Sequence, residues 1–345
     1  MHRCLELARL GDGHVAPNPM VGAVLVHTGR DTGEQRIIGE GYHKQHGKAH
    51  AEVNCIAAVN EEDKHLIAES TMYVSLEPCA HHGKTPPCAD LIIRMGIRRV
   101  VVGCRDPFPQ VNGKGIEKLL AAGVEVVVGA LEAECVALNK RFFTFNTLHR
   151  PYIVLKWAQS LDGKIAGSGG ARTFISNEFT NRLVHKWRSQ EAAILVGPRT
   201  ALLDDPALTA RLWTGPDPIR LVIDKGLELP NSLQLFDGKV RTVVFNRLRH
   251  DEEGMLQYYQ LADDSSLVHQ LSVALHRLKI QSVLVEGGAR LLQSFIDADY
   301  WDEVRVITNE GLLLSEGLPA PRLGRVRNIR REKLLEDTIS YYEHD

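Results

Sequence analysis

The sequence predicts an α/β protein of two domains. Three observations carry that expectation. Apolar, β-branched runs of strand length alternate with longer stretches of helical periodicity along the whole chain. At 345 residues the chain is long for one core and comfortable for two. Its chemistry-bearing motifs also fall into two sets, one before residue 90 and one after residue 155.

Taken in order, residues 21–27 read as a strand and residues 51–59 as a helix whose first turn presents His50 and Glu52. Residues 71–76 read as a strand delivering Glu77-Pro78-Cys79, and residues 88–95 as the next helix. Short apolar strands follow at 100–104 and 124–129. On this reading His50, Cys79 and Cys88 all sit at helix N-terminal turns, where the helix dipole favours thiolate. The boundary falls near 147–151, where Thr147-Leu148-His149-Arg150-Pro151 follows an aromatic run, Phe142-Phe143-Thr144-Phe145. Domains are therefore expected over 1–147 and 148–345. The second half has strands at 152–156, 192–197, 219–224, 242–246, 282–286 and 303–308. Helices fill 178–190, 266–278 and 289–298. There is no internal repeat and no low-complexity segment.

Composition narrows the function classes. A 44% hydrophobic and 24% charged chain is ordinary for a globular protein, and a net charge of -2 provides no basic field for a nucleic-acid backbone. The six cysteines, Cys4, Cys55, Cys79, Cys88, Cys104 and Cys135, are too sparse for a disulfide framework. The N-terminus carries no signal-type apolar region, and no run approaches the ~20 apolar residues of a membrane span. These features fit a reducing cytoplasm, with no nucleic-acid or membrane partner.

The most informative stretch is His50-Ala51-Glu52 with Pro78-Cys79 and, later, Pro86-Pro87-Cys88. One histidine and two cysteines offer three zinc ligands and leave a fourth position for water, the pattern of a catalytic site. Glu52, two residues past His50, is placed to move protons. The deaminase signature pairs H-x-E with P-C-x-x-C. Here the interval between Cys79 and Cys88 is longer, so a loop must bulge out and return. That loop carries His81, His82 and Lys84, three potential cations that suit a phosphorylated substrate. The alternative is a chance set: an ordinary helical HAE and two reduced thiols.

Together with Pro17-Asn18-Pro19-Met20-Val21-Gly22, these motifs resemble the deaminase half of the bifunctional RibD family of riboflavin biosynthesis. The downstream runs Lys156-Trp157-Ala158-Gln159-Ser160-Leu161-Asp162-Gly163 and Asp204-Asp205-Pro206-Ala207-Leu208-Thr209, with Val285-Glu286-Gly287-Gly288, resemble its reductase half. The resemblance covers nearly the whole chain in the same order. It implies a cytidine-deaminase-like α/β/α domain followed by a dihydrofolate-reductase-like α/β domain. It implies one Zn2+ per chain, NADPH, a small phosphoribosyl pyrimidine substrate, and a homo-oligomer, either dimer or tetramer. Metal ligands are then His50, Cys79 and Cys88, with Glu52 catalytic. Asn18, His43, His81, Lys84 and Asp106 match deaminase substrate positions. Asn18 is otherwise an ordinary turn residue between two prolines, and Phe108 stands where many relatives carry asparagine.

In the second half, Ala158, Phe174, Thr200, Asp204, Gly288, Ala289, Arg290 and Leu291 match cofactor positions. Lys156, Arg172, Arg188, Leu208, Arg211 and Glu286 match substrate positions. Gly287-Gly288 after a strand suits a phosphate at a helix start, or a packing turn. Arg172 suits a phosphate contact or a surface charge. Lys156 and Glu286 are either the charges nearest the reacting centre or halves of a structural ion pair. No G-x-G-x-x-G follows a strand, which argues against a Rossmann domain. Residues 310–328 lack the family's usual turn and are expected as an irregular loop. Two rival readings remain: a monofunctional nucleoside or tRNA zinc deaminase with a degenerate second domain, and a non-catalytic binding protein on a deaminase-like fold.

Overall fold

The structure is a computed structural model and describes residues 1–29, 32–80, 86–108, 111–168, 173–262 and 264–345. Its chain divides into two compact units, Met1–His149 and Arg150–Asp345.

The first unit begins with α1 (His2–Arg9), β1 (Gly22–Thr28), β2 (Gln35–Tyr42), α2 (Ala51–Ala57) and β3 (Thr71–Leu76). It continues through α3 (Cys88–Arg94), β4 (Arg99–Cys104), α4 (Lys114–Ala121), β5 (Glu125–Val128), α5 (Glu132–Leu138) and α6 (Lys140–Leu148). The sheet order is β2-β1-β3-β4-β5. β1 runs antiparallel to β2 and β3, while β3, β4 and β5 are parallel.

β1 shows why this is a three-layer unit. Ala23 and Leu25 pack on one side with Ala51 and Cys55 of α2 and Ile92 of α3. Val24 packs on the other with Cys4 and Leu7 of α1. A strand covered on both faces has no polar alternation to lose, so its apolar run was readable as a buried strand. β2 was not anticipated. It holds glycines because α2 lies directly on it: a Cβ at Gly41 would sit 2.2 Å from the backbone nitrogen of Cys55. That close approach fixes the helix that carries Glu52. The aromatic run read as preceding a linker is instead helical, within α6, and buries Phe145.

The second unit opens with β6 (Tyr152–Ser160), β7 (Lys164–Ala166), α7 (Glu178–Gln190), β8 (Ala193–Val196), α8 (Pro198–Asp204) and β9 (Ile219–Ile223). Next come β10 (Thr242–Asn246), β11 (Asp251–Glu253), β12 (Leu256–Gln260), α9 (Leu267–Arg277), β13 (Ser282–Glu286) and α10 (Ala289–Asp297). It closes with β14 (Glu303–Asn309), β15 (Leu318–Pro319), β16 (Val326–Leu334) and β17 (Asp337–His344).

The large sheet has the order β11-β12-β10-β9-β8-β13-β6-β14-β17-β16. From β12 to β14 the neighbours are parallel, and β11, β17 and β16 pair antiparallel at the ends. Alternate residues of β6 supply two cores. Ile153, Leu155 and Trp157 meet Leu271 of α9 and Phe295 of α10. Tyr152 and Val154 meet Val184 and Trp187 of α7. The expected irregular loop over 310–328 is broken by β15, which pairs with β7, and by the start of β16. No helix among the described residues is long and apolar enough to cross a membrane.

Candidate active sites

In the first unit the connection after β3 and the starts of α2 and α3 converge. His50 is the extended N-cap residue of α2, and Cys88 is the first residue of α3. Cys79 departs from expectation: it lies in the connection after β3 and not at a helix start. It reaches α3 through space. The Cys88 N–H donates to Cys79 Sγ at 3.3 Å, and the Ala89 N–H donates to the Cys79 carbonyl at 3.1 Å. The helix start thus still stabilises its thiolate.

His50 Nδ1 lies 3.6 Å from Cys79 Sγ and 3.4 Å from Cys88 Sγ. All three ligand atoms lie within 4.8 Å of one another. Zinc bound tetrahedrally at usual bond lengths separates a nitrogen from a sulfur ligand by about 3.6 Å. The residues present therefore fit the ion. The thiol pair is electrostatically divided. Cys79 is held below the ordinary thiol range, first by the Cys88 thiol as a hydrogen-bond donor and also by His50, against the effect of burial. Cys88 is pushed up, first by Cys79 and then by burial and Glu52.

Glu52 is 3% exposed, in the first turn of α2. Burial pushes its carboxyl up to about 7, the Cys79 thiolate adds to this, and His50 opposes it. His43 is also buried. Burial holds its imidazole below the ordinary range, so it is neutral at pH 7. Its Nδ1 meets the Ala49 carbonyl at 3.0 Å and its Nε2 meets Asn18 Nδ2 at 3.1 Å. A carbonyl only accepts, so Nδ1 carries the proton and Nε2 accepts from the Asn18 amide. Both nitrogens of His43 are engaged, which sets it behind Asn18 and turns the Asn18 amide oxygen the other way.

Asp106 is 8% exposed, and burial pushes its carboxyl up to about 7. Its Oδ1 accepts the Phe108 N–H at 2.8 Å, so at residue 108 the backbone amide is used and the missing asparagine leaves this turn intact. His81 and Lys84 lie outside the described residues, as does Arg172 in the second unit.

In the second unit, Lys156 and Glu286 face each other across the parallel pair β6–β13. Arg188 of α7 donates to both carboxylate oxygens of Glu286, Nε to Oε1 at 3.1 Å and an Nη to Oε2 at 2.7 Å. Lys156 Nζ stands 3.8 Å from the same carboxylate. Burial would raise Glu286, but Arg188 and Lys156 outweigh it and hold the carboxyl at about 2. Lys156 is itself lowered, by burial first, with Arg188 adding to this and Glu286 opposing. The asymmetry is physical: the carboxylate has two cations beside it, whereas the lysine has one anion and one like charge.

The same strand ends hold the candidate cofactor residues. Gly287 and Gly288 have φ of +88° and +78°, a pair of left-handed positions that L side chains rarely adopt. A Cβ at Gly287 would lie 2.9 Å from Thr200 Cγ2 and at Gly288 3.5 Å from Thr200 Oγ1. So Thr200 of α8 and the starts of α8 and α10 adjoin, after the parallel neighbours β8 and β13. Ala289 is half-buried and Arg290 exposed in the first turn of α10, Asp204 ends α8, and Ala158 is half-buried on β6. Phe174 is 76% exposed. Two positions differ from a direct side-chain contact: Leu291 and Leu208 are 8% and 2% exposed and pack into the hydrophobic cores. Arg211 is exposed, and its Nη1 donates to Thr209 Oγ1 at 3.3 Å, while Arg188 Nη1 holds the Thr209 carbonyl at 3.2 Å.

Comparison with known proteins joins the two sites. A RibD C-terminal domain profile matches residues 151–313, and a cytidine and deoxycytidylate deaminase zinc-binding region profile matches residues 1–104. The riboflavin biosynthesis protein RibD of Aquifex aeolicus is 39% identical over 356 residues, 99% of this chain and 97% of that protein. The chain belongs to the RibD family. RibD of Escherichia coli is 36% identical over 334 residues, covering 92% and 88% of the two chains. The crystal structure of a diaminohydroxyphosphoribosylaminopyrimidine deaminase/5-amino-6-(5-phosphoribosylamino)uracil reductase from Thermotoga maritima superposes with a TM-score of 0.88 at 36% identity. It is covered to 97%, and this chain to 100%. Acinetobacter baumannii RibD gives 0.87 at 30% identity, covering 99% and 97%. As a member of this family, the chain is a bifunctional enzyme of riboflavin biosynthesis, a zinc-dependent deaminase and an NADPH-dependent reductase. The fold is deaminase-like in the first unit and dihydrofolate-reductase-like in the second. The monofunctional reading is not supported, since the reductase profile is present over most of the second unit.

Sequence reasoning missed Glu77, whose buried carboxylate accepts backbone N–H groups of Asp106, Gly113, Gly115 and Ile116. The available signal was a glutamate closing an apolar strand immediately before Pro-Cys.

Proposed function

We propose that residues 1–147 perform the hydrolytic deamination and residues 148–345 the reduction, with the residue roles that follow. The convergence of His50, Cys79 and Cys88 on one point, with Glu52 buried beside them, carries this reading. His50, Cys79 and Cys88 would hold a zinc ion, which when bound would make a water at its open position acidic enough to lose a proton near neutral pH. Glu52 takes the proton from the water that attacks the ring carbon bearing the 2-amino group. It passes that proton to the ring nitrogen, then takes a second proton from the hydroxyl now on the ring carbon and passes it to the amino group that departs as ammonia. Its burial beside the metal ligands keeps the carboxyl out of bulk water, where it can pass protons in both directions. Asn18, oriented by His43, holds the pyrimidine edge with its amide oxygen. Asp106 adds a second polar contact, and His81 and Lys84 hold the ribose phosphate.

In the second half bound NADPH would supply a hydride to the ribose C1′; the bond from C1′ to the ring oxygen breaks and that oxygen takes a proton from solvent, leaving a ribityl chain. Thr200, Asp204, Ala158, Phe174 and the 288–291 turn hold the cofactor, Gly288 and Ala289 through free backbone N–H groups and Leu291 through its backbone alone. Lys156 and Glu286 flank the ribose, with Arg188 fixing Glu286. Arg172 and Arg211 take the phosphate, and Leu208 shapes the loop that carries Arg211. The enzyme works in the cytoplasm as a homo-oligomer, without nucleic acid or membrane.

One assay tests the scheme. Zinc-loaded protein is mixed with the diaminopyrimidine ribotide and NADPH, and products are resolved over time. Deaminated ribotide should form first, followed by ribityl product with saturable NADPH oxidation. NADPH oxidation on the undeaminated ribotide with no ammonia release would overturn the assignment.

A further inference from the structure

Glu77 follows β3, two residues before Cys79, and is 3% exposed. Its carboxylate accepts four backbone N–H bonds. Oε2 takes Asp106 at 3.2 Å and Gly113 at 3.0 Å. Oε1 takes Gly115 at 3.0 Å and Ile116 at 3.3 Å. No cation among the described residues forms an ion pair with it. The four donors lie after β4, at Asp106, and around the start of α4, at Gly113, Gly115 and Ile116.

The local reason is an empty cap. α4 follows Gly113, which has no side chain to satisfy the orphan N–H groups of the first turn. Glu77 caps that turn from a different element. The packing is close: a Cβ at Gly115 would lie 1.9 Å from the Pro78 carbonyl oxygen. The Glu77 N–H also donates to the Cys104 carbonyl at 3.0 Å, tying the end of β3 to the end of β4. The clamp therefore joins two functional groups. Cys79 stands two residues after Glu77. Asp106 is itself one of the four donors, and its Oδ2 takes no hydrogen bond from any described residue.

We propose that Glu77 is a positioning residue for deamination, locking the Asp106 segment in register with Cys79 so that the substrate-holding carboxylate and the zinc ligands stay at a fixed separation. The inference rests on Asp106 as a substrate contact. A purely structural clip would lower stability and leave substrate affinity alone. A positioning clip shows in KM.

The test uses full-length, zinc-loaded Glu77→Gln. Glutamine keeps the shape but turns an NH2 group toward two of the four N–H donors. The ribotide KM for deamination should rise roughly ten-fold, with kcat changed far less, zinc retained and the reductase unaffected. Combined with Asp106→Asn, the double variant should have the KM of the worse single variant, because both act through one contact. Multiplying effects, an unchanged KM, or loss of zinc in Glu77→Gln would each overturn the proposal. Should Glu77→Gln fail to fold, Glu77→Asp retains both oxygens on a shorter arm. It should give an intermediate KM with the same non-additivity, and a wild-type KM there overturns the idea equally. Asp106→Asn alone with a wild-type KM would overturn the substrate role of Asp106, and that failure is visible before Glu77 is changed.

Discussion

Glu286→Gln should destabilise the second unit by about 3 kcal/mol at pH 7, and the loss should shrink in acid. In the structure Glu286 sits between Arg188, which bonds both its oxygens, and Lys156 at 3.8 Å. All three side chains are nearly buried, at 13% exposure or less. Moving the carboxyl from an ordinary 4.5 when unfolded to about 2 when folded is worth about 3 kcal/mol at neutral pH. Removing the one anion from a buried site with two cations predicts a similar loss, about 3–5 kcal/mol. The sign follows from the depressed folded value. The contribution is complete above the unfolded value and is lost as pH falls through the folded one. The gap between wild type and variant should therefore fall to about 1 kcal/mol at pH 3. Urea unfolding followed by tryptophan fluorescence isolates this unit, because all four tryptophans, Trp157, Trp187, Trp213 and Trp301, lie within it. Equal stability of the two proteins at pH 7, or a gap unchanged between pH 7 and pH 3, would refute the reasoning.

Glu52→Gln should keep its zinc, lose deamination by roughly 10²–10⁴-fold and leave NADPH oxidation on deaminated ribotide intact; near-normal deamination would remove Glu52 from the proton path. Metal analysis should find about one zinc per chain in the native protein and none in Cys88→Ala. Retained zinc in that variant would transfer the ligand role to Cys55 or Cys104. Lys84→Ala should raise the deaminase KM without changing zinc content, and an unchanged KM would make Lys84 an ordinary solvated lysine. Asp106→Asn should stabilise the first unit, because burial raises the folded carboxyl from 3.8 to about 7. The native charge then costs up to about 4 kcal/mol above pH 7, a cost that fades toward pH 4. Zinc release during urea unfolding reads this, and a variant less stable than wild type at pH 8 would show that hydrogen bonding outweighs burial there.

Much of this fold was legible because its strands are covered on both faces. β10 and β13 appear in the sequence as apolar runs with the same limits as in the structure. β16 was illegible for the opposite reason. It is the edge strand, exposed on most residues, and its sequence VRNIRREKL has no apolar alternation. Only its pairing with β17 makes it a strand. β2 was hidden by Gly39 and Gly41, which look like turn signals. The close passage of α2, a tertiary fact, is what demands small residues there. At the metal site, residue types and order were enough for His50, Cys79 and Cys88, since H-x-E and P-C are local signatures. What lies behind them was not local. The partners of Glu77 are 29 to 39 residues away in sequence, and the two cations of Glu286 come from β6 and α7.

Two of the buried carboxylates in these sites, Glu286 and Asp106, have opposite energetics. Glu286 is surrounded by charge of opposite sign, so its ionised form contributes to the stability of the second unit. Asp106 is also largely buried, yet the one described hydrogen bond to its carboxyl comes from the backbone N–H of Phe108. Its ionised form is therefore costly, and the cost is borne by the rest of the first unit, including the four N–H bonds at Glu77. Buried groups whose ionisation opposes folding cluster at functional sites, where a ligand can favour the charged form. In Asp106 the oxygen left without a partner among the described residues marks what that ligand supplies: a hydrogen-bond donor that arrives with the substrate. Bound ribotide should then lower the Asp106 pKa and stabilise the first unit more at pH 8 than at pH 5, beyond what its affinity for the zinc and Asn18 contacts contributes.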